Sequence, residues 1–178
     1  YILPLLPTLA ERYPQLFVDL DLTERQTDPT QELLDAAIRI GEQKDSGLYA
    51  SRIATQRWVM CASPDYIARY GQPADLNALP QHRLIARYHK QQPACWAQIL
   101  SVPLMSRCSM VLRCDDFTAQ RQAALLGLGL TFLPNWVVGP DIQAGRLLQV
   151  LEDPRQEQQG IYLLRPVAKV SARLNLFI

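Results

Sequence analysis

The chain has 178 residues, 48% hydrophobic and 20% charged, with a formal net charge of +1. That length suits one domain, or two small lobes that share a core. The near-neutral balance, with Lys and Arg scattered, excludes a chain-wide basic surface for nucleic acid, and no apolar run reaches the roughly 18 residues of a membrane-spanning helix.

Residues 2–13 place Leu3, Leu6, Leu9, Ala10 and Tyr13 at helical spacing. Pro4 and Pro7 fit only near the start of that helix, and Pro14 ends it. "LFVDLDL" (16–22) alternates Val18, Leu20 and Leu22 with Asp19 and Asp21, which predicts a strand with one wet face. A polar loop and a short helix at "QELLD" follow, then a short buried strand at 36–40 ending at Gly41. This alternation predicts an α/β unit with a parallel sheet.

"RWVMCA" (57–62) predicts a strand that runs into a helix at "SPDYIARYG". Ser63 suits the N-cap, Pro64 and Asp65 the first turn, and Gly71 the stop. "ADLNALPQH" is a turn-rich connector, and "RLIARY", "CWAQIL" and "SMVLRC" are predicted strands. "DDFTAQRQAALLG" is a helix capped by Asp115 or Asp116. Strands follow at "LTFLP", at 147–151 and at "QGIYLLRP", with a short helix ended by Gly145 before the second. "SARLNLFI" begins a last helix, and the abrupt first and last residues read as those of a piece of a longer chain.

The chemistry-bearing residues are sparse. Cys61, Cys95, Cys108 and Cys114 form no C-x-x-C pair and match no zinc spacing. They read as reduced, partly buried thiols. The histidines are His82 and His89. A Cys95–His89 dyad lacks an orienting third group and an oxyanion hole in the pattern, so no catalytic residue, metal or cofactor is expected. The helix starts at Ser63-Pro64 and Asp115-Asp116 are candidate anion sites if both follow strands of one parallel sheet; equally, Ser63 and Asp116 could cap their own helices and nothing more. Arg39, in an apolar strand, needs either a salt bridge or a cleft. In "AALLGLGLTFLP" the Gly127-Leu128-Gly129 stretch follows a helix and precedes a strand. A phosphate cradle has the opposite order, so these glycines are a helix-to-strand join.

Several segments, in order, resemble the effector-binding region of LysR-type transcriptional regulators: "LPLLPTLAERYPQLFVDLDL", "LLDAAIRIG", "ASPDYIARYGQPADLNALPQHRLI" and "GLGLTFLP" followed by "GRL". The resemblance covers nearly the whole chain, with 87–113 generic. It implies an α/β, two-lobed, periplasmic-binding-protein-like (type 2) domain, each lobe a mainly parallel sheet, joined by two crossover strands. The lobes would be 1–57 with 141–178, and 58–140. The family's winged helix-turn-helix and the first strand of lobe one would be absent from this chain. A small-molecule inducer, possibly a small carboxylate, would bind between the lobes against Thr23, Glu24, Arg39, Gly41, Ser63, Pro64, Asp116, Phe117, Thr118, Leu133 and Pro134. The resemblance also implies self-association through 3–22 and 117–126, with Leu6 and Leu9 either interface or core. DNA would be bound only through the helix-turn-helix part, and the location would be cytoplasmic. A solute-binding protein of a transport system, or an enzyme on the same scaffold, are the alternatives.

Overall fold

Alternate side chains divide each central strand between two apolar clusters. Strand β2 (Tyr49–Ala62) sends Val59 and Cys61 into one cluster and Met60 and Ala62 into the other. Strand β3 (Arg83–Arg87) puts Ile85 in the first and Leu84 and Ala86 in the second. Strand β5 (Leu130–Pro134) puts Leu133 in the first and Leu130 and Phe132 in the second. Side chains of period two point to opposite faces, so this sheet is buried on both sides. That is why "LTFLP" reads as an unbroken apolar run: all five residues are buried.

The computed structural model describes residues 3–23, 29–30, 32–41, 47–87, 95–155 and 157–166. The chain divides into two compact units, Tyr1–Thr55 with Gly160–Ile178, and Gln56–Gln159. In the second unit β3 lies between β4 (Ser109–Cys114) and β5, parallel to both. The end of β2 runs antiparallel to β5, with Trp58 opposite Pro134 and Cys61 opposite Thr131. Strand β6 (Leu148–Leu151) pairs antiparallel with β2 at Met60–Ala62. Helices α4 (Phe117–Leu125) and α5 (Asn135–Gln143) cover one face through Ala124 and Val138. Helix α2 (Pro64–Tyr70), a 3-10 turn at Cys95–Gln98 and the one-turn helix α3 (Val102–Met105) cover the other through Tyr66, Trp96 and Leu104.

In the first unit β1 (Ala37–Ile40) pairs antiparallel with β7 (Gln158–Arg165), Ala37 opposite Leu164. Helix α1 (Leu6–Arg12) follows a 3-10 turn at Leu3–Leu5 and buries no residue.

Several expectations need correction. Residues 16–22 form no strand; no ladder partner flanks them among the described residues, and Phe17 and Leu22 are 86% and 79% exposed. No helix forms at "QELLD": residues 32–33 are a turn, and Gln31 is outside the described residues. "CWAQIL" is a 3-10 turn and not a strand, because the Trp96 indole N–H donates to the Ile85 carbonyl at 2.8 Å and the ring is buried in the core. Strand β2 begins at Tyr49, eight residues before the predicted start at 57. The final helix at "SARLNLFI" lies outside the described residues. The second boundary between units falls after Gln159, whereas the sequence reading puts it at 140. The intervening residues belong with the second unit because β6 hydrogen-bonds to β2, Leu147 and Val150 enter its core, and Asp141 is tied to Arg121 on α4.

Candidate functional site

The segments that follow β3 and β5 pack on opposite faces of the sheet. The chain leaving β3 enters the core face that holds Cys95 and Trp96, while the helix after β5 packs on the opposite face through Val138. Adjacent parallel strands whose following segments go to opposite faces leave a cleft beyond their carboxyl ends. Here those ends are Arg87 and Leu133-Pro134, with Trp58 paired to Pro134.

Aromatic rings and one cation fill the rim. The Arg87 guanidinium lies 4.7 Å from the centre of the Phe117 ring. Phe117 meets Trp58 edge-on at 6.1 Å and Trp136 edge-on at 5.8 Å. Such pairs are worth about 0.5–1.5 kcal/mol beyond their buried area. Asp116 caps α4 by accepting from Ala119 N–H at 2.6 Å. Under the helix start, Gln120 is fully buried and its Nε2 donates to Cys114 O at 3.1 Å, while its Oε1 has no partner among the described residues. Gln56, also buried, accepts from the Trp136 indole at 2.7 Å and donates to Gln159 Oε1 at 2.6 Å. That pair fixes Trp136 between the first and last residues of the unit.

Of the residues singled out from sequence, Asp116, Phe117, Thr118, Leu133 and Pro134 share this edge. Ser63 and Pro64 do not. They follow β2, which runs against β5, so they sit at the amino edge, where the Ser63 hydroxyl caps α2 and lies near Gly127. The parallel-sheet premise for pairing the two helix starts fails on strand direction. Thr23, Arg39 and Gly41 belong to the first unit, and Glu24 lies outside the described residues. Arg39 Nη2 is buried with no hydrogen-bond partner among the described residues. Sequence reasoning missed Arg87, Trp58, Trp136 and Gln56. Arg87 carried a usable signal: like Arg39, it is a cation ending an apolar strand.

Residues 1–178 match the LysR substrate binding domain. The chain belongs to that family. The HTH-type transcriptional regulator DmlR of Escherichia coli (strain K12) is 30% identical over 187 residues, covering 98% of this chain and 58% of that protein. The HTH-type transcriptional regulator CrgA of Neisseria meningitidis is 27% identical over 155 residues, covering 87% and 52%. The solved structure of the CrgA regulatory domain superposes with a TM-score of 0.79 at 26% identity, covering 98% of this chain and 87% of that one. The chain thus spans little more than half the length of the curated relatives it matches. The family is one of transcriptional regulators, neither transporters nor enzymes. The fold of this LysR domain is accordingly the periplasmic-binding-protein-like one. Among the described residues, no helix is long and apolar enough to cross a membrane.

The cysteines of the LysR domain are placed against nucleophilic chemistry. Burial pushes the Cys61 thiol up to about 12, with the Asp141 charge adding to it. Burial also raises Cys95, whose proposed partner His89 lies outside the described residues. A nucleophilic thiol needs the opposite shift.

The amino edge of the LysR domain holds a buried imidazole. Tyr66 Oη accepts from Arg83 N–H at 2.9 Å, which leaves its own proton to donate to His82 Nδ1, 3.3 Å away. Burial lowers the His82 pKa. The unfolded chain therefore binds more protons than the native one below about pH 6.5, and stability falls as pH drops through that value. Urea midpoints measured from pH 8 to pH 5 are expected to decline, and His82→Phe is expected to flatten that slope. An unchanged slope in His82→Phe would assign the decline to other groups.

Proposed function

We propose that this chain senses a small effector for a DNA-binding regulator, and that the crevice beyond β3 and β5 forms the second unit's wall of the effector site. Arg87 over Phe117 at the start of α4 carries the reading. A guanidinium and an aromatic rim suit a small carboxylate with an apolar part. Asp116, Phe117 and Thr118 are its candidate contacts, with Leu133 and Pro134 the buried end of β5 beside them, and Thr23, Arg39 and Gly41 are the first unit's candidates. An effector acts only through a difference in affinity between two conformations of the regulator. DNA contact is assigned to a helix-turn-helix part of the longer protein, by analogy with relatives whose names carry the HTH designation, and the cytoplasm is the corresponding location.

Two copies are proposed to associate through 3–22 and 117–126. Helix α1 has no fully buried residue, and Leu3, Leu5, Phe17, Leu22 and, at the end of α4, Leu126 are exposed. Such apolar surface is typical of interaction sites.

A thermal-unfolding screen of the chain against small carboxylates tests the sensing role. A ligand at about 100 times its dissociation constant is expected to add roughly 2.7 kcal/mol, and Arg87→Ala is expected to remove most of the gain. A flat response across the library, or a gain indifferent to Arg87→Ala, would overturn the reading.

A further inference from the structure

We propose a second ligand site in the Gln56–Gln159 unit, a hollow beside Trp58 that takes a small amino acid with a cationic side chain. The hollow measures about 200 Å³ and is lined by Arg57, Trp58, Gln149, Glu152, Glu157 and Gln158, together with Asp153. The hollow opens to solvent past the exposed Arg57, Glu152 and Glu157, so a long side chain can extend out of it. Trp58 borders both sites, but Arg87, Asp116, Phe117 and Pro134 do not line the hollow, so the proposal goes beyond the effector site.

Charge names the ligand class. Asp153 is buried and spoken for: Arg155 donates to both its oxygens, at 2.8 and 3.1 Å. That pair cancels. The rest of the lining carries Arg57 against Glu152 and Glu157, one cation against two anions. The Arg57 backbone N–H donates to Asn135 Oδ1, but its exposed guanidinium has no ion-pair partner among the described residues. Neither has the exposed Glu152 carboxylate. Glu157 is held only loosely, 3.5 Å from Arg155 and 53% exposed. The complement is one carboxylate and two cationic groups, which is a basic amino acid in its neutral-pH form. Arg57 takes the carboxylate, and Glu152 and Glu157 take the α-ammonium and the side-chain cation. Gln149 and Gln158 supply neutral hydrogen bonds. The alkyl stem lies on Trp58, as long cationic side chains lie on indole faces.

The test is titration calorimetry of the chain with L-lysine and L-arginine. Norleucine lacks the second cation and cadaverine lacks the carboxylate. At least one basic amino acid is expected to bind, with norleucine and cadaverine each about tenfold weaker or worse, a factor set by loss of one charged contact. Arg57→Ala and Glu152→Gln, both at exposed side chains, are expected to weaken binding about tenfold without lowering the melting temperature. Arg87→Ala is expected to leave it unchanged, which separates this site from the effector crevice. No binding of either amino acid up to about 10 mM, equal binding of norleucine or cadaverine, or indifference to both Arg57→Ala and Glu152→Gln would overturn the proposal.

Discussion

Asp141→Ala is expected to cost about 3 kcal/mol, because removing one partner from a buried ion pair leaves the others uncompensated. Asp141 is fully buried on α5. It accepts from Arg121 Nε and, at 2.9 Å, from Arg121 Nη2, and from Arg146 Nε at 2.8 Å. Arg121 stands on α4, so this one carboxylate ties together the two helices that cover the same face. The hydrogen bonds from Arg121 hold it below the usual carboxylate range despite the opposing effect of burial. The contribution is therefore full above the ordinary value of 3.8 and is lost as pH falls through the lower folded value. The arginines are wetter: their side chains are 30% and 57% exposed. They rehydrate when Asp141 goes, which keeps the loss at the low end of the range of about 3–5 kcal/mol for broken buried pairs. Arg146→Ala should cost under about 1 kcal/mol, as exposed pairs do. Urea denaturation at pH 7 measures both; a loss below about 1 kcal/mol for Asp141→Ala would contradict the assignment of this group as a helix tie.

Gly129→Ala is expected to cost a similar amount, about 3 kcal/mol, by overpacking. A Cβ there would overlap the Arg83 carbonyl oxygen and stand 3.0 Å from its carbon. That backbone belongs to β3, which pairs with β5 from Leu84 opposite Leu130, so it cannot retreat without breaking the ladder. Gly127 does different work. Its φ of +74° ends α4, with Leu128 N–H donating to Ala123 O and Gly127 N–H to Ala124 O. This is the helix-end motif that wants a left-handed residue after the cap. Gly127→Ala meets only ordinary contact with Ser63 Oγ at 3.4 Å, and its cost is the roughly 1–2 kcal/mol of a left-handed alanine. Thermal unfolding of the two variants gives the order: Gly129→Ala must melt lower than Gly127→Ala. The reverse order would contradict the close approach of Gly129 to β3.

These glycines show where the sequence was legible. Order alone identified the join as helix-to-strand and not as a phosphate cradle. It could not separate the two glycines, because the contact that fixes Gly129 is with a strand more than 40 residues away in the chain. The same limit recurs elsewhere. Ser63, Asp65 and Gly71 announced α2 because capping is local, and Asp116 announced α4 for the same reason. Which sheet edge each helix starts from depends on strand direction, a tertiary property, so capping residues alone do not reveal that Ser63 starts from the amino edge. "LFVDLDL" has the alternation of a strand, yet a strand exists only with a partner, and none lies beside it among the described residues. Arg87 shows in sequence only as a cation ending an apolar strand; its partner, the Phe117 ring, arrives from 30 residues further on.

The most direct measurement is backbone hydrogen–deuterium exchange on the chain with and without the carboxylate that stabilises it most. Slower exchange is expected at Arg87, at Asp116–Ala119 and at Asn135–Trp136, with Ser63–Gly71 unchanged. Protection confined to Ser63–Gly71, or none at Asp116–Ala119, would contradict the placement of the effector at the carboxyl edge of β3 and β5.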